Sequence, residues 1–271
     1  MDTRIPASLH PLLDAYLHGL EPFSQHLAGL YLYGSIALGA FEEPASDIDV
    51  VALTKGEWSP PELKRLAALH KHLSDTYPFG KRLEVYYIPT RYLGVLHPDQ
   101  QQSGLAPYPT ARDGTFSPAT LEGLNAVTWW TIQHHGIRLL GPACDALPLD
   151  VAWQEVLTTM RFNLDGYFAR KARQPYIFWF DAGVEFAVTN MCRILSTIEE
   201  GEIISKSAAL TRWRTRLPER WQPLLDDAWR IRHRLGRPAL YPHRLPRLRD
   251  TLAFIQYGRE RGGTALKAAG V

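Results

Sequence analysis

The spacing of apolar and polar residues divides this chain into two stretches of different character. Between residues 8 and 28, Leu9, Leu12, Leu13, Tyr16, Leu17 and Leu20 recur at helical spacing and predict one amphipathic helix. An apolar run, Leu30 to Tyr33, then reads as a buried strand, breaks at Gly34-Ser35 and enters a short helical piece, Ile36 to Phe41. A polar turn leads into a second strand carrying Asp47 and Asp49, which Val50, Val51, Ala52 and Leu53 bury. Alternate residues of a strand share a face, so both carboxylates project from the same side. Ser59-Pro60-Pro61-Glu62 is a helix start with Ser59 as N-cap, and Leu63, Leu66, Leu69 and Leu73 form the buried stripe that follows. His70 and His72 read as surface residues of that helix. Lys81 to Ile88 is a third strand, with Leu83, Val85 and Tyr87 on one face and Glu84, Tyr86 and Ile88 on the other. Residues 94–118 are rich in Gly, Pro, Ser and Gln, show no period and read as a long loop. A helix from Leu121 to His135 and a short strand or turn at 136–142 complete this part.

From Trp153 onward only helical periods remain. Helices are predicted at 153–173, from Asp181 to Glu200 with Gly201 as stop, from about Lys206 with Ser205 or Ser207 as cap, at 218–235 and at 248–257. The residues beyond 257 read as a frayed tail. The expected architecture is an α/β N-terminal domain, residues 1–150, with a small mixed sheet flanked by helices. An all-α helical-bundle domain, residues 151–271, follows as the substrate- and nucleotide-binding part.

Composition narrows the function classes. With 45% hydrophobic and 21% charged residues the chain is that of a folded soluble protein. A net charge of +2 is too small to imply nucleic-acid binding, and the basic segments RWRTRLPERW and RIRHRLGRP read as solvated helix faces. No apolar run approaches the ~18 residues of a transmembrane helix, so no membrane partner is expected. The N-terminus lacks the features of a signal peptide, and the two distant cysteines, Cys144 and Cys192, suit a reduced cytoplasm.

Candidate chemistry gathers in a few places. Asp47 and Asp49 beside a Gly34-Ser35 turn that opens a helix are suited to a divalent metal and a phosphate. Glu84, on the next strand, is a candidate third carboxylate. In the helical part Arg193 lies opposite the apolar stripe, on the face of Glu185, Thr189 and Thr197. Lys206 stands at a helix start, where a cation is unfavourable unless an anion is near. Adjacent His134 and His135 point about 100° apart and read as structural or surface residues.

Strand, Gly34-Ser35, helix, turn, Asp47-Ile48-Asp49, strand, and then an acidic residue on a later strand resembles the signature of the nucleotidyltransferase superfamily. The segments LYGSIALGAF, SDIDVVAL, RLEVYYIP, GIRLLGP and NMCRILSTIEEGEIISK are similar to the aminoglycoside adenylyltransferases that modify streptomycin and spectinomycin. The resemblance implies Asp47 and Asp49 as magnesium ligands, with Glu84 as catalytic base and a further metal contact. It implies Gly34, Ser35 and Ser46 as phosphate contacts, and Arg193 and Lys206 as triphosphate contacts from the second domain, across a cleft. Trp179, Asp181 and Glu185 become candidates for binding a small cationic, hydroxylated acceptor, although the 94–118 stretch lacks the tryptophan that the resistance enzymes place there. The expected protein is a monomer that uses Mg²⁺ and takes ATP as co-substrate, with no nucleic acid. The alternative is a regulatory, antitoxin-like nucleotidyltransferase that acts on or binds a partner protein.

Overall fold

The computed structural model describes residues 2–96, 104–121, 124–236 and 240–271. Contacts divide the chain into two compact units, Met1–Ala152 and Trp153–Val271.

The first unit is built on a mixed six-stranded sheet of order β5-β4-β3-β2-β1-β6. Its strands are β1 (Leu27–Leu32), β2 (Ile48–Thr54), β3 (Leu83–Pro89), β4 (Tyr108–Arg112), β5 (Thr115–Thr120) and β6 (Ile137–Leu140). Among the described strands only β2 and β3 pair in parallel, in a register that sets Asp49 opposite Glu84. A parallel pair needs a crossover, and helix α3 (Pro60–Thr76) supplies it. A capping box starts α3, with the Ser59 N–H donating to Glu62 Oε2 at 2.8 Å. Helix α1 (His10–Leu20) and α3 cover one face of the sheet, and Leu12, Leu13, Tyr16, Leu66 and Leu73 pack there with Ile48, Val50, Val85 and Tyr87. Alternation therefore sends Asp49 and Glu84 to the other face.

Several local expectations change in this unit. The helix read over 8–28 ends at Leu20, because Glu21–Phe23 forms a tighter turn through Pro22 and Leu27 onward is drawn into the sheet. His70 is a core residue: it follows Leu66 by one turn, is 5% exposed, and its Nε2 lies 2.8 Å from Tyr87 Oη. Burial pushes its imidazole down to about 3, so the ring stays neutral. The second half of the 94–118 stretch is not loop but the β4–β5 hairpin, while residues 97–103 lie outside those described. Its turn is Asp113-Gly114 with φ of 51° and 72°, the left-handed pair that a two-residue hairpin requires. The helix read from Leu121 begins only at Ala126, giving α4 (Ala126–His135), where Asn125 accepts the Val127 N–H at 3.0 Å.

The second unit is all helical. A run from Trp153 to Ala172 comprises α5 (Trp153–Phe162), a wider turn at Asn163–Phe168 and α6 (Ala169–Ala172). Then come α7 (Asp181–Glu200), α8 (Lys206–Arg214), α9 (Gln222–Arg232) and α10 (Arg244–Ala268). Helix α7 is the centre of the bundle, packed by α5, α8, α9 and α10, and Gly201 ends it with φ 70°. Because neighbours surround it, Thr189 and Thr197 on its polar side are buried along with Val184, Val188 and Leu195. The stretch read as a frayed tail is instead the second half of α10, anchored by Gly258, Gly262 and Leu266. The α/β unit and the helical bundle agree with the architecture expected from the sequence. Among the described residues no helix is long and apolar enough to cross a membrane.

Candidate active site

The site forms where β1 hands over to β2. Tyr33 closes the pair with an N–H donated to the Asp49 carbonyl at 3.0 Å, and the chain turns sharply at Gly34, whose φ is 62°. A Cβ on Gly34 would stand 2.0 Å from Asp49 Oδ2, so this turn lies directly against the carboxylate. Gly34 also opens the short helix α2 (Gly34–Ala37). Ser35 follows, and its Oγ is buried without a hydrogen-bond partner. A hydroxyl left unsatisfied at a helix-opening turn is suited to a phosphate oxygen. Ser46 is buried and serves the turn before Asp47: its Oγ accepts the Glu42 N–H at 2.9 Å, and its own N–H donates to the Glu42 carbonyl at 2.8 Å. Asp47 precedes β2 rather than lying within it, and both Asp47 and Asp49 are partly exposed between buried neighbours.

Glu84 is 8% exposed. Burial pushes its carboxyl up to about 7; Arg112 pulls it down, while Asp47, Asp49 and Asp113 push it further up. The same field reaches Tyr33, whose phenol is raised by burial and then by Asp49, Tyr86 and Glu84. Arg112 Nε lies 3.3 Å from Glu84 Oε1, because pairing Val85 with Ala111 brings the end of β4 alongside the start of β3. Arg112 was missed in the sequence, and the available signal was Asp113-Gly114, which marks the hairpin that delivers it. Among the described residues no three His, Cys, Asp or Glu side chains form a preformed metal cluster. The donors present are nonetheless carboxylate oxygens, two of which raise the proton affinity of Glu84, beside an orphaned hydroxyl. They fit a hard divalent cation such as Mg²⁺.

In the helical unit Arg193 donates through Nε to the Ile204 carbonyl at 2.9 Å and through Nη1 to Asn190 Oδ1 at 3.4 Å. Ile204 lies two residues before Lys206, the first residue of α8, whose cap is Ser205 accepting the Ala208 N–H at 3.2 Å. Arg193 and Lys206 thus belong to one corner of this unit. The basic segments read as solvated faces are only partly so: Arg232 is 7% exposed. It is drawn inward by Glu185, whose Oε1 accepts from Arg232 Nη1 at 3.1 Å. Asp181 opens α7 and accepts from Arg247 Nη1 at 2.6 Å, with Arg230 Nη2 3.6 Å from its other oxygen. Arg230 and Arg247 also flank the fully buried Asp227, and Arg247 donates to the Trp179 carbonyl at 3.2 Å. Asp181, Arg230, Tyr241, His243, Arg244 and Arg247 line a cavity of about 320 Å³. The structure therefore gives Asp181 and Glu185 arginine partners, in two separate clusters, and leaves the Trp179 side chain exposed.

A mixed sheet with a Gly-Ser turn set against an Asp-x-Asp strand, a third carboxylate on the adjacent parallel strand and a helical unit following is a nucleotidyltransferase fold. Residues 179–241 match the family model of the aminoglycoside adenylyltransferase C-terminal domain. The whole chain resembles the crystal structure of spectinomycin adenyltransferase AAD(9) from Enterococcus faecialis, solved with ATP and spectinomycin. The TM-score is 0.70 at 15% sequence identity, over 94% of this chain and 99% of that one. No curated protein sequence matches the chain.

Proposed function

We propose that this protein transfers AMP from ATP to a hydroxyl of a small aminoglycoside-type acceptor and releases pyrophosphate. The observation that carries the reading is the register pair Asp49–Glu84 beside the Gly34-Ser35 turn, in a chain whose residues 179–241 match the adenylyltransferase C-terminal domain. The acceptor oxygen attacks the α-phosphorus, the bond from that phosphorus to the bridging oxygen of pyrophosphate breaks, and the acceptor proton passes to Glu84. A carboxylate whose pKa is lifted to about 7 is a stronger base than an exposed one and is still largely ionised just above neutrality. Asp47 and Asp49, with Glu84 beside them, would hold a magnesium ion, which when bound offsets triphosphate charge. The Gly34-Ser35 turn and Ser46 supply hydrogen-bond donors to the phosphates without competing charge. Arg193, with its forked donors, and Lys206, as a point charge, stabilise the β- and γ-phosphates. The spectinomycin enzyme's bound ATP supports ATP as the co-substrate. We place the reaction in the cytoplasm, with the protein acting as a monomer.

One observation favours a second reading. The carboxylates that would attract a polycationic drug, Asp181 and Glu185, are already paired with arginines, which leaves room for a partner protein as the acceptor. Pyrophosphate release from Mg-ATP across a panel of aminoglycosides tests the first reading. Turnover with streptomycin or spectinomycin is expected; none across the panel removes the substrate assignment, and full activity in Asp47→Asn removes the mechanism.

A further inference from the structure

The buried arginine at the end of α9 has a place in this chemistry that the sequence does not announce. Arg232 spends its fork on two other helices: Nε donates to Ser207 Oγ at 2.9 Å, and Nη1 donates to Glu185 Oε1 at 3.1 Å. Ser207 is the second residue of α8, next to Lys206, and Glu185 lies in the second turn of α7. His233 Nε2 stands 3.4 Å from the same Ser207 hydroxyl, its ring stacked on Trp229 at 3.9 Å. The approach to α8 is also tied to α7, by Arg193 on the Ile204 carbonyl and by Thr197 Oγ1 on the Glu202 carbonyl at 3.2 Å. The first turn of α8 and the residues leading into it are therefore tied to both α9 and α7.

Such a brace holds the turn against a local electrostatic repulsion. The first turn of α8 contains no acidic residue and begins with a lysine, so the positive end of the helix dipole and the Lys206 ammonium repel. Arg193 and Arg232 add positive charge at the same corner, and Glu185 offsets part of it. A lysine in place of Arg232 could not reach two acceptors on two helices, whereas a planar fork can.

We infer that Arg232 is a positioning residue for ATP, acting through Ser207 to hold Lys206 where it meets the triphosphate. The inference rests on the proposed role of Lys206. Arg232 does not touch the nucleotide; it fixes the helix start that presents the lysine. Removing the arginine outright would leave the partly buried Glu185 without this partner and endanger folding, so the informative variants are Arg232→Lys and Ser207→Ala, with Ser207→Thr keeping the hydroxyl.

The test is steady-state kinetics of pyrophosphate release on the full chain with ATP varied, combined with a double-mutant cycle on Lys206→Ala and Ser207→Ala. Arg232→Lys and Ser207→Ala are expected to raise KM for ATP roughly ten-fold with kcat within about two-fold, and Ser207→Thr to restore it. In the Lys206→Ala background the Ser207→Ala change is expected to add almost nothing, because both act through the same side chain. An unchanged KM in Ser207→Ala, or a full additional loss in the double variant, overturns the inference while leaving the role of Lys206 standing. An unchanged KM in Lys206→Ala itself overturns that role, and the inference with it.

Discussion

Replacing Gly34 with alanine separates two costs that this turn combines. The first is backbone strain: at φ 62° an alanine pays about 1–2 kcal/mol relative to glycine. In a domain of this size that corresponds to a fall in Tm of roughly 2–8 °C. The second is specific to the site. The new methyl would stand 2.0 Å from Asp49 Oδ2 and 2.9 Å from Asp49 Cγ, where non-bonded contacts need over ~3 Å. The carboxylate must therefore retreat by ~1 Å or more, and misplacement on that scale costs on the order of 100-fold in rate. Gly39→Ala is the matched control, because Gly39 has φ 63° and a Cβ there meets nothing within 4 Å. Differential scanning calorimetry should show similar losses of Tm for the two variants. Pyrophosphate release should fall about 100-fold in Gly34→Ala and stay near wild type in Gly39→Ala. Equal activities in the two variants would refute the claim that the Gly34 turn sets the position of Asp49.

Three further outcomes follow from the same site and core. Glu84→Gln should lower kcat by about 10²–10⁴ without unfolding the protein. Because the folded Glu84 pKa, about 7, is above its ordinary 4.5, wild type loses stability as pH rises through that interval. In EDTA, denaturant melts should therefore show Glu84→Gln gaining on wild type between pH 4.5 and 8, by on the order of 3 kcal/mol. Arg112→Ala removes the cation that holds the Glu84 pKa down, so the acidic limb of the kcat/KM profile should move to higher pH; a shift to lower pH would contradict the pairing. His70 is held neutral, with a folded pKa of about 3 against 6.5 when free, so its contribution is present above pH 6.5 and lost as pH falls. Between pH 7 and 5 wild type should lose about 2 kcal/mol relative to His70→Gln in urea melts, and parallel curves would refute this.

The parts of this protein legible in its sequence were those set by local periodicity. Alternation along Asp47–Leu53 and Leu83–Ile88 revealed both strands and which residues share a face, and Ser59, Ser205 and Gly201 marked helix ends through their own chemistry. What remained hidden depends on partners distant in the chain. His70 looks like a surface residue until Tyr87 and Phe116 close over it. The pKa of Glu84 is raised by burial and restrained by Arg112, delivered by a hairpin whose strands, YPTAR and TFSPAT, lack clean alternation. Arg232 belongs to a basic segment that resembles a solvated face, and only the position of Glu185 in the packed bundle shows why it is buried.

The central claim is tested most directly by following the α-phosphorus of ATP. With α-labelled ATP, magnesium and streptomycin or spectinomycin, the label should move to the small-molecule acceptor as an adenylyl ester, with one pyrophosphate released for each, and Asp49→Asn should abolish the transfer. Label on a co-purifying protein and on none of the drugs, or transfer undiminished in Asp49→Asn, would contradict the account.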